Sequence, residues 1–438
     1  MSNFKDIFME YIGEGEIIYE DDKIPLKFEC QQLWDGSILG NIEIKEEKNL
    51  PVLYDLFYNF LPFNIVGSTN DGLSISIESI YLTRLSFGEN NNIKFIAKEV
   101  KAKKRELISN ESKIMVIFGI TNFQSFRTFI NTNLGELIFQ NYNSYEKIIK
   151  DISSYKKACI TGSATLIFKS EIKANSAEEY IKLAQKEINK VLFLTSFSQG
   201  IYQTWKFVQV SEKIDDENYE KIYFLNLATK DINMGFRPVT HFLDLKNYLS
   251  TTYPSYTDEV EKEMGIQFAI EWYLESLASN NVESKYIMAF VCLELLVDRY
   301  EAISGDKILE ETIFDGLYEE LKNKSKSFLK NKGIDDAKKR KPIYSNLKGL
   351  NRFPFREQFE KLLKNYKVGH TDIFKILSEP ITVRDQLVHS GRTYIDFDTL
   401  ASNYHKLMAM NQRIILSILN YDGQSFIDWL DNNKSKQF

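Results

Sequence analysis

One short stretch of the chain combines residue types and spacing that could do chemistry: Glu379-Pro-Ile-Thr-Val-Arg384-Asp385-Gln-Leu-Val-His389-Ser-Gly391-Arg392. Imidazole is the side chain whose ordinary pKa lies nearest neutrality, so it can both take and give a proton. Guanidinium is a planar, permanently charged fork that matches phosphate oxygens. The chain holds 44 Lys and only 11 Arg, so an arginine here departs from its habit. Ser378 and Pro380 can start a short helix and Gly391 can stop it. On that helix Asp385 and His389 are four apart and share a face, which lets the carboxylate orient the imidazole. The competing reading is a histidine favoured by the dipole at a helix end, beside an exposed arginine.

Other chemistries lack their residues. The four histidines, His241, His370, His389 and His405, form no metal-ligand spacing, so no metal site is expected. The last three assignments left for them are ordinary polar or capping roles for His241, His370 and His405. Cys30, Cys159 and Cys292 lie far apart and make no C-x-x-C, which argues against a disulfide framework and a zinc knuckle. The phosphate-binding, dinucleotide-binding, nucleophile-elbow and zincin signatures are all missing, so no cofactor is implied. Trp34, Trp205, Trp272 and Trp429 read as core or interface residues. The longest apolar run, Tyr286–Leu293, is far short of the roughly 20 residues a membrane helix needs, and the acidic start is no signal peptide. The expectation is a soluble, cytoplasmic protein with no membrane partner.

Charge is unevenly spread. Residues 322–356 hold twelve Lys and Arg against Asp335 and Asp336, a net of +10, so the rest of the chain carries −16 for a total of −6. A basic segment in an acidic protein is the footprint of a polyanion site. Lys338, Lys339, Arg340, Lys341, Arg352 and Arg356, with Arg392 beyond the histidine, are the candidate phosphate contacts. Phe328, Tyr344, Phe353 and Phe355 are interleaved and could stack on unpaired bases. The plain alternative is a solvated, lysine-rich loop. A second cluster, Lys98, Lys101, Lys103, Lys104 and Arg105, reads as a solvated strand edge.

The elements that must position these residues fall into two halves. With 438 residues, 43% of them hydrophobic and 26% charged, the chain is an ordinary globular one with room for two or three domains. Residues 1–250 read as β-rich. Phe63–Gly67 and Leu73–Ile77 flank the turn Asn70-Asp-Gly, and further strands are expected at 93–97, 113–120, 165–173, 205–210 and 222–227. One helix interrupts them, opened by Ser176 and Glu179 as a capping box and closed at Gly200. Beyond the polar stretch 250–258 the period changes from 2 to 3.6. Val260–Leu277 is amphipathic, Tyr286–Ile303 is apolar almost all round and suits the centre of a bundle, shorter helices follow near 306–330 and 354–366, and Leu400–Ile418 closes the chain behind a cap at Asp396 or Asp398. The fold class expected is α+β: a sandwich-like β-rich domain with an added helix over 1–250, then an all-α bundle over 258–438. Glu294, the lone carboxylate of Tyr286–Val297, would be a buried charge needing a partner, with Arg384, Arg299 or a lysine able to serve.

Arg384-Asp385-x-x-x-His389 in a helical bundle resembles the R-[ND]-x-x-x-H signature of HEPN-domain endoribonucleases, over roughly residues 258–425. The segment NIVGSTNDGLSISI is similar to the N-terminal region of ApeA-like anti-phage HEPN proteins. Asp stands at 385 where Asn is frequent, and Ser390 intervenes before Gly391. The resemblance implies metal-independent RNA cleavage, in which the 2′-hydroxyl attacks the adjacent phosphate and leaves a 2′,3′-cyclic phosphate and a 5′-hydroxyl. It implies His389 as general acid or base, Arg384 as the stabiliser of the phosphorane and Asp385 as holder of the histidine; Glu294 is a supporting candidate from its apolar setting alone. It also implies RNA as partner, a homodimer that joins two such helices into one site, and a phage-derived trigger on the β-rich domain. Two other readings stay open: a non-catalytic helical module that holds nucleic acid or nucleotide, and a ligand-recognition protein whose bundle is a dimeriser.

Overall fold

Alternating apolar and polar residues govern the front of the chain, and it folds as antiparallel strands. The computed structural model describes residues 7–436 apart from 20–21, 45–48, 87–92, 108–112, 125–126, 143–158, 216–217, 229–236, 306, 335, 391–394, 422–425, 428 and 431–434. The strands are β1 (Ile7–Tyr19), β2 (Asp22–Leu33), β3 (Ile38–Ile44), β4 (Phe63–Thr69), β5 (Ser74–Arg84), β6 (Ile93–Ala97), β7 (Glu99–Lys103), β8 (Ile114–Thr121), β9 (Thr128–Asn131), β10 (Gly135–Asn141), β11 (Ile160–Phe168), β12 (Trp205–Lys213) and β13 (Tyr219–Leu227). The chain divides into two compact units, the first to Tyr253 and the second from Pro254 to Asp422, with short C-terminal stretches falling in each.

The thirteen strands of the first unit make one continuous sheet in the order β4-β1-β2-β3-β6-β5-β7-β13-β12-β8-β11-β10-β9, and β4 also pairs with β5. That extra pairing closes β1 to β6 into a six-stranded ring. The sandwich-like expectation therefore gives way to a ring continued by an open ladder. The strand that serves both is β5. Its first half pairs with β7, from Ser74 opposite Lys103 to Glu78 opposite Glu99, and its second half pairs with β6, with Tyr81 opposite Ile96 and Leu82 opposite Phe95. Between the halves the burial alternation skips a residue, from Ile77 to Ile80. Ser79 sits there at φ +51°, and its N–H donates to Asn64 Oδ1 at 2.9 Å. A bulge of this kind bends a strand and re-aims its pairing.

Ile17, Leu26, Phe28, Ile42, Ile65, Ile77 and Phe95 fill the ring's core, and Leu53 and Leu56 of helix α1 (Leu50–Tyr58) pack into it. The hairpin read from Asn70-Asp-Gly joins β4 to β5, with Gly72 at φ +84°. Strands β1 to β3 escaped the sequence reading. The lysine cluster at 98–105 is no sheet edge, since β7 is paired on both sides, by β5 and by β13. Its charges are matched: Lys101 meets Glu78 and Glu99, Lys103 meets Glu106, and Arg105 bridges Glu220 and the fully buried Glu212. Helix α2 (Ala177–Gln199) has the expected ends, with Ser176 accepting from the Glu179 N–H and Gly200 in the left-handed conformation. The Glu179 carboxylate turns back one residue further than a capping box requires, onto the Asn175 N–H at 2.7 Å.

Helix α3 (Leu245–Ser255) carries the division between the units in its last turn. The second unit is helical: α4 (Asp258–Met264), α5 (Ile266–Ala278), α6 (Val282–Ser304), α7 (Glu311–Asn331), α8 (Ala337–Lys348), α9 (Phe355–Asn365), α10 (Glu379–Ser390) and α11 (Phe397–Ile418). The amphipathic stretch 260–277 is two helices because Gly265, at φ +61°, ends one and begins the next. Helix α6 runs from the Asn281 cap to Gly305 and touches α4, α5, α9, α10 and α11, the central place its apolar surface demands. Asp396 caps α11 by accepting from the Thr399 N–H. Among the described residues no helix is long and apolar enough to cross a membrane.

Gly40 of β3 lies opposite Phe95 of β6, and a Cβ there would collide with the Phe95 ring and the Glu29 carbonyl. The ring core is close-packed at this point, and overpacking of such a site costs about 1–3 kcal/mol. Gly40→Ala is expected to lose that much in urea unfolding followed by circular dichroism.

Candidate active site

Helix α10 has a narrow inward stripe of Pro380, Val383 and Leu387. The stripe packs on α6, and the Tyr286 hydroxyl donates to the Pro380 carbonyl at 3.1 Å. These contacts fix the roll of α10 about its axis. Arg384, one residue and about 100° on from Val383, then falls beside α6. Its guanidinium lies over the Phe290 ring, with Cζ 4.9 Å from the centroid. Nη2 donates to Glu294 Oε1 at 2.8 Å, and Nη1 lies 3.0 Å from Asp385 Oδ1. Phe290 and Glu294 are four apart on α6 and present one face to it. Phe290 is backed by the ring of Phe355 on α9, 5.7 Å away and nearly parallel. The Nε of Arg384 is buried and has no hydrogen-bond partner among the described residues.

His389 is exposed, and no hydrogen bond to it is found among the described residues. Five residues of helix turn it about 140° away from Arg384. The guanidinium thus faces α6 while the imidazole stands in the open. Asp385, expected to hold His389, is held by Arg384 instead. Glu294 takes Arg384 as its partner, one of the three expected, but it is half-exposed and not the buried charge the sequence suggested. One turn further along α6, burial and Glu301 hold the Asp298 carboxyl above its usual range, while Arg352 pulls the other way.

The remaining chemistry-bearing residues have other surroundings or other roles. Burial pushes the Cys30 thiol up to about 12 and raises Cys292 as well, so neither is a thiolate nucleophile. His241 caps a short 3₁₀ turn by accepting from the Leu243 N–H. His405 packs against Tyr404 and Trp429, whose indole N–H donates to the Tyr273 hydroxyl. No cluster of three or more potential metal ligands occurs among the described residues. No protein-family model, curated protein or solved structure matches the chain.

Of the expected phosphate contacts, Lys338, Lys341, Arg352 and Arg356 are exposed and Arg340 is half-buried. Arg392 and the Lys339 side chain lie outside the described residues. Phe355 is committed to Phe290 and is no free stacking platform. The part Phe290 plays against Arg384 was absent from the sequence reading, although the spacing of Phe290 and Glu294 on one helix face was there to be read. Removing the hydroxyl in Tyr286→Phe deletes a bond between α6 and α10 and leaves the Pro380 carbonyl buried. A loss of about 1 kcal/mol in urea unfolding is expected.

Proposed function

We propose that this chain is a metal-independent endoribonuclease of the HEPN type that cleaves cellular RNA in anti-phage defence by abortive infection. One observation carries the reading: an arginine held from three sides and an exposed histidine share a short helix whose roll is fixed by α6. The RNA supplies the nucleophile. The 2′-oxygen attacks phosphorus as its proton passes to a base, the bond to the 5′-oxygen breaks, and that oxygen takes up a proton. His389 is the group for one of the two transfers. Arg384 neutralises charge as the phosphorane forms. The divergence of the two side chains within one chain favours a site made by two copies, in which the histidine of one approaches the arginine of the other. The β-rich unit is assigned the sensing of a phage-derived trigger, on the family resemblance alone.

A second reading has an observation in its favour. Two carboxylates already meet Arg384, as they would if its role were structural in a non-catalytic nucleic-acid-binding module. Incubation with total RNA in EDTA separates the two. The nuclease reading expects fragments with 2′,3′-cyclic phosphate and 5′-hydroxyl ends, and a fall of about 10²–10⁴ in rate for His389→Ala with RNA binding kept. A strict requirement for added magnesium would overturn the mechanism. Absence of cleavage by the wild type would leave the binding module. Mixing inactive Arg384→Ala with inactive His389→Ala tests the two-copy site: random pairing is expected to restore about a quarter of the wild-type rate. A mixture that stays inactive rejects a site shared in this way.

A further inference from the structure

Helices α7 and α8 form a hairpin that is almost wholly exposed. Within α7 only Phe314 is buried, and α8 has no buried residue among those described. The two helices pack chiefly on one another. Tyr318, Leu321 and Leu329 from α7 and Tyr344 and Leu347 from α8 are among their half-buried residues. The hairpin is clamped at its root, where the Asn351 side chain accepts from the Leu309 N–H at 2.7 Å and donates to the Leu309 carbonyl at 3.0 Å. From Phe314 to the far end of α7 the helix runs for about 25 Å.

Charge divides this hairpin along its length. Residues 311–320 contain four carboxylates and no lysine or arginine, whereas 322–332 contain five lysines and no carboxylate. Turned away from α8 is a sector made of Asn323, Lys324, Lys326, Ser327, Lys330 and Asn331, every one of them exposed. Over residues 323–331 it holds only cations, amides and a hydroxyl, with Glu320 bounding it one turn before Lys324. Lys326 and Lys330 are one turn apart, about 6 Å along the axis. No apolar side chain lies within this sector to enter a bilayer, and Phe328 stands at its border. Donors without carboxylates suit phosphate oxygens and ribose hydroxyls.

We infer that this outer face of α7 is a second RNA-backbone contact, set apart from the Arg384–His389 helix, and that the substrates are RNAs long or folded enough to reach both. The inference rests on the nuclease reading for its choice of RNA. Glu294 lies ten residues, about 15 Å, before the end of α6, and the hairpin begins only beyond that end. Among the described residues helices α7 and α10 do not pack on one another, so an RNA held at Arg384 must leave α10 to touch Lys324.

The test compares a labelled 40-nucleotide stem-loop RNA with an 8-nucleotide single strand. Binding is measured by fluorescence anisotropy in EDTA on the His389→Ala background, and cleavage on the wild-type background. In Lys324→Ala/Lys326→Ala/Lys330→Ala the stem-loop is expected to bind about 10–30-fold more weakly, with a salt slope shallower by about 2. The 8-mer should bind and be cut as before. Lys→Arg at the three positions should restore stem-loop binding and so separate charge from folding. Equal affinity of wild type and triple variant for the stem-loop would overturn the inference while leaving cleavage, and hence the nuclease reading, intact. Stem-loop binding that depends on the three lysines without any cleavage would sink the nuclease reading and keep the contact. Unchanged stem-loop binding together with lysine-dependent capture of phosphatidylserine vesicles would reassign the face to a membrane surface.

Discussion

A helix with a three-residue inward stripe presents a side chain reproducibly only if its roll is fixed, and the fit of α10 on α6 is the constraint behind everything at the candidate site. Stability does not account for the way Arg384 is held. The Arg384–Glu294 pair is partly solvated, and pairs of that kind contribute about 0–1 kcal/mol. Stacking on Phe290 adds about 0.5–1 kcal/mol, while a buried Nε without a partner costs about 1–3 kcal/mol. These terms roughly cancel. What the arrangement gives is orientation: one face of the guanidinium is covered by Phe290, the Nη2 edge is tied to Glu294, and the Nη1 edge is left to Asp385. Asp385 is the more exposed of the two carboxylates and is anchored on the same helix as the arginine. The Nη1 edge is therefore the one that can exchange its partner for a phosphate oxygen without disturbing α6.

The β-rich unit is organised around a different constraint, a strand that must serve both the ring and the ladder of one sheet. Once β5 pairs with β4, β6 and β7, its two halves need different neighbours, and the bulge at Ser79 supplies the change of direction. Side chains secure the junction. The Tyr11 hydroxyl of β1 donates to Asn226 Oδ1 of β13 at 3.0 Å, and Asn226 Nδ2 donates to Gln32 Oε1 of β2 at 2.6 Å. Gln32 Nε2 reaches the carbonyls of Lys206 and Leu227. All three residues are buried. Burying so many amide groups is tolerable because nearly every one is bonded, and such a network fixes how ring and ladder meet.

Local signals were legible in the sequence, and long-range ones were not. The Ser176 cap, Gly200, Asp396 and the Asn70-Asp-Gly turn each work through atoms within a few residues, so their types announce them. Strands β1 to β3 alternate less cleanly, because the ring leaves residues such as Ile12 and Ile18 exposed on its outer face. The ring itself depends on the pairing of β4 with β5 and of β3 with β6, which no local pattern encodes. At the candidate site the arginine and its acidic partner were readable from scarcity and apolar context. Asp385 was assigned to His389 because they share a helix face, but the neighbouring guanidinium is nearer and carries a full charge. Residues 337–348 were open to reading as a loop because lysines and Pro342 dilute the periodicity. They are helical because Tyr344 and Leu347 have α7 to pack on.

The same hairpin bears on the conflict between a net charge of −6 and the polyanionic partner proposed above. Outside residues 322–356 the chain carries −16, and a phosphate backbone is repelled by such a body at close range. Electrostatic influence in physiological salt decays over about 8 Å. The lysines of α7 begin two helical turns, about 12 Å, beyond Phe314, the residue that anchors the helix, which is past that range. Of the four carboxylates of residues 311–320, Glu311 and Asp315 lie on the near side, while Glu319 pairs with Lys322 at 2.7 Å and leaves Lys324, Lys326 and Lys330 as the outer cations. A polyanion at residues 322–332 meets five lysines and no carboxylate within that segment, so local charge rather than the chain's total governs the contact.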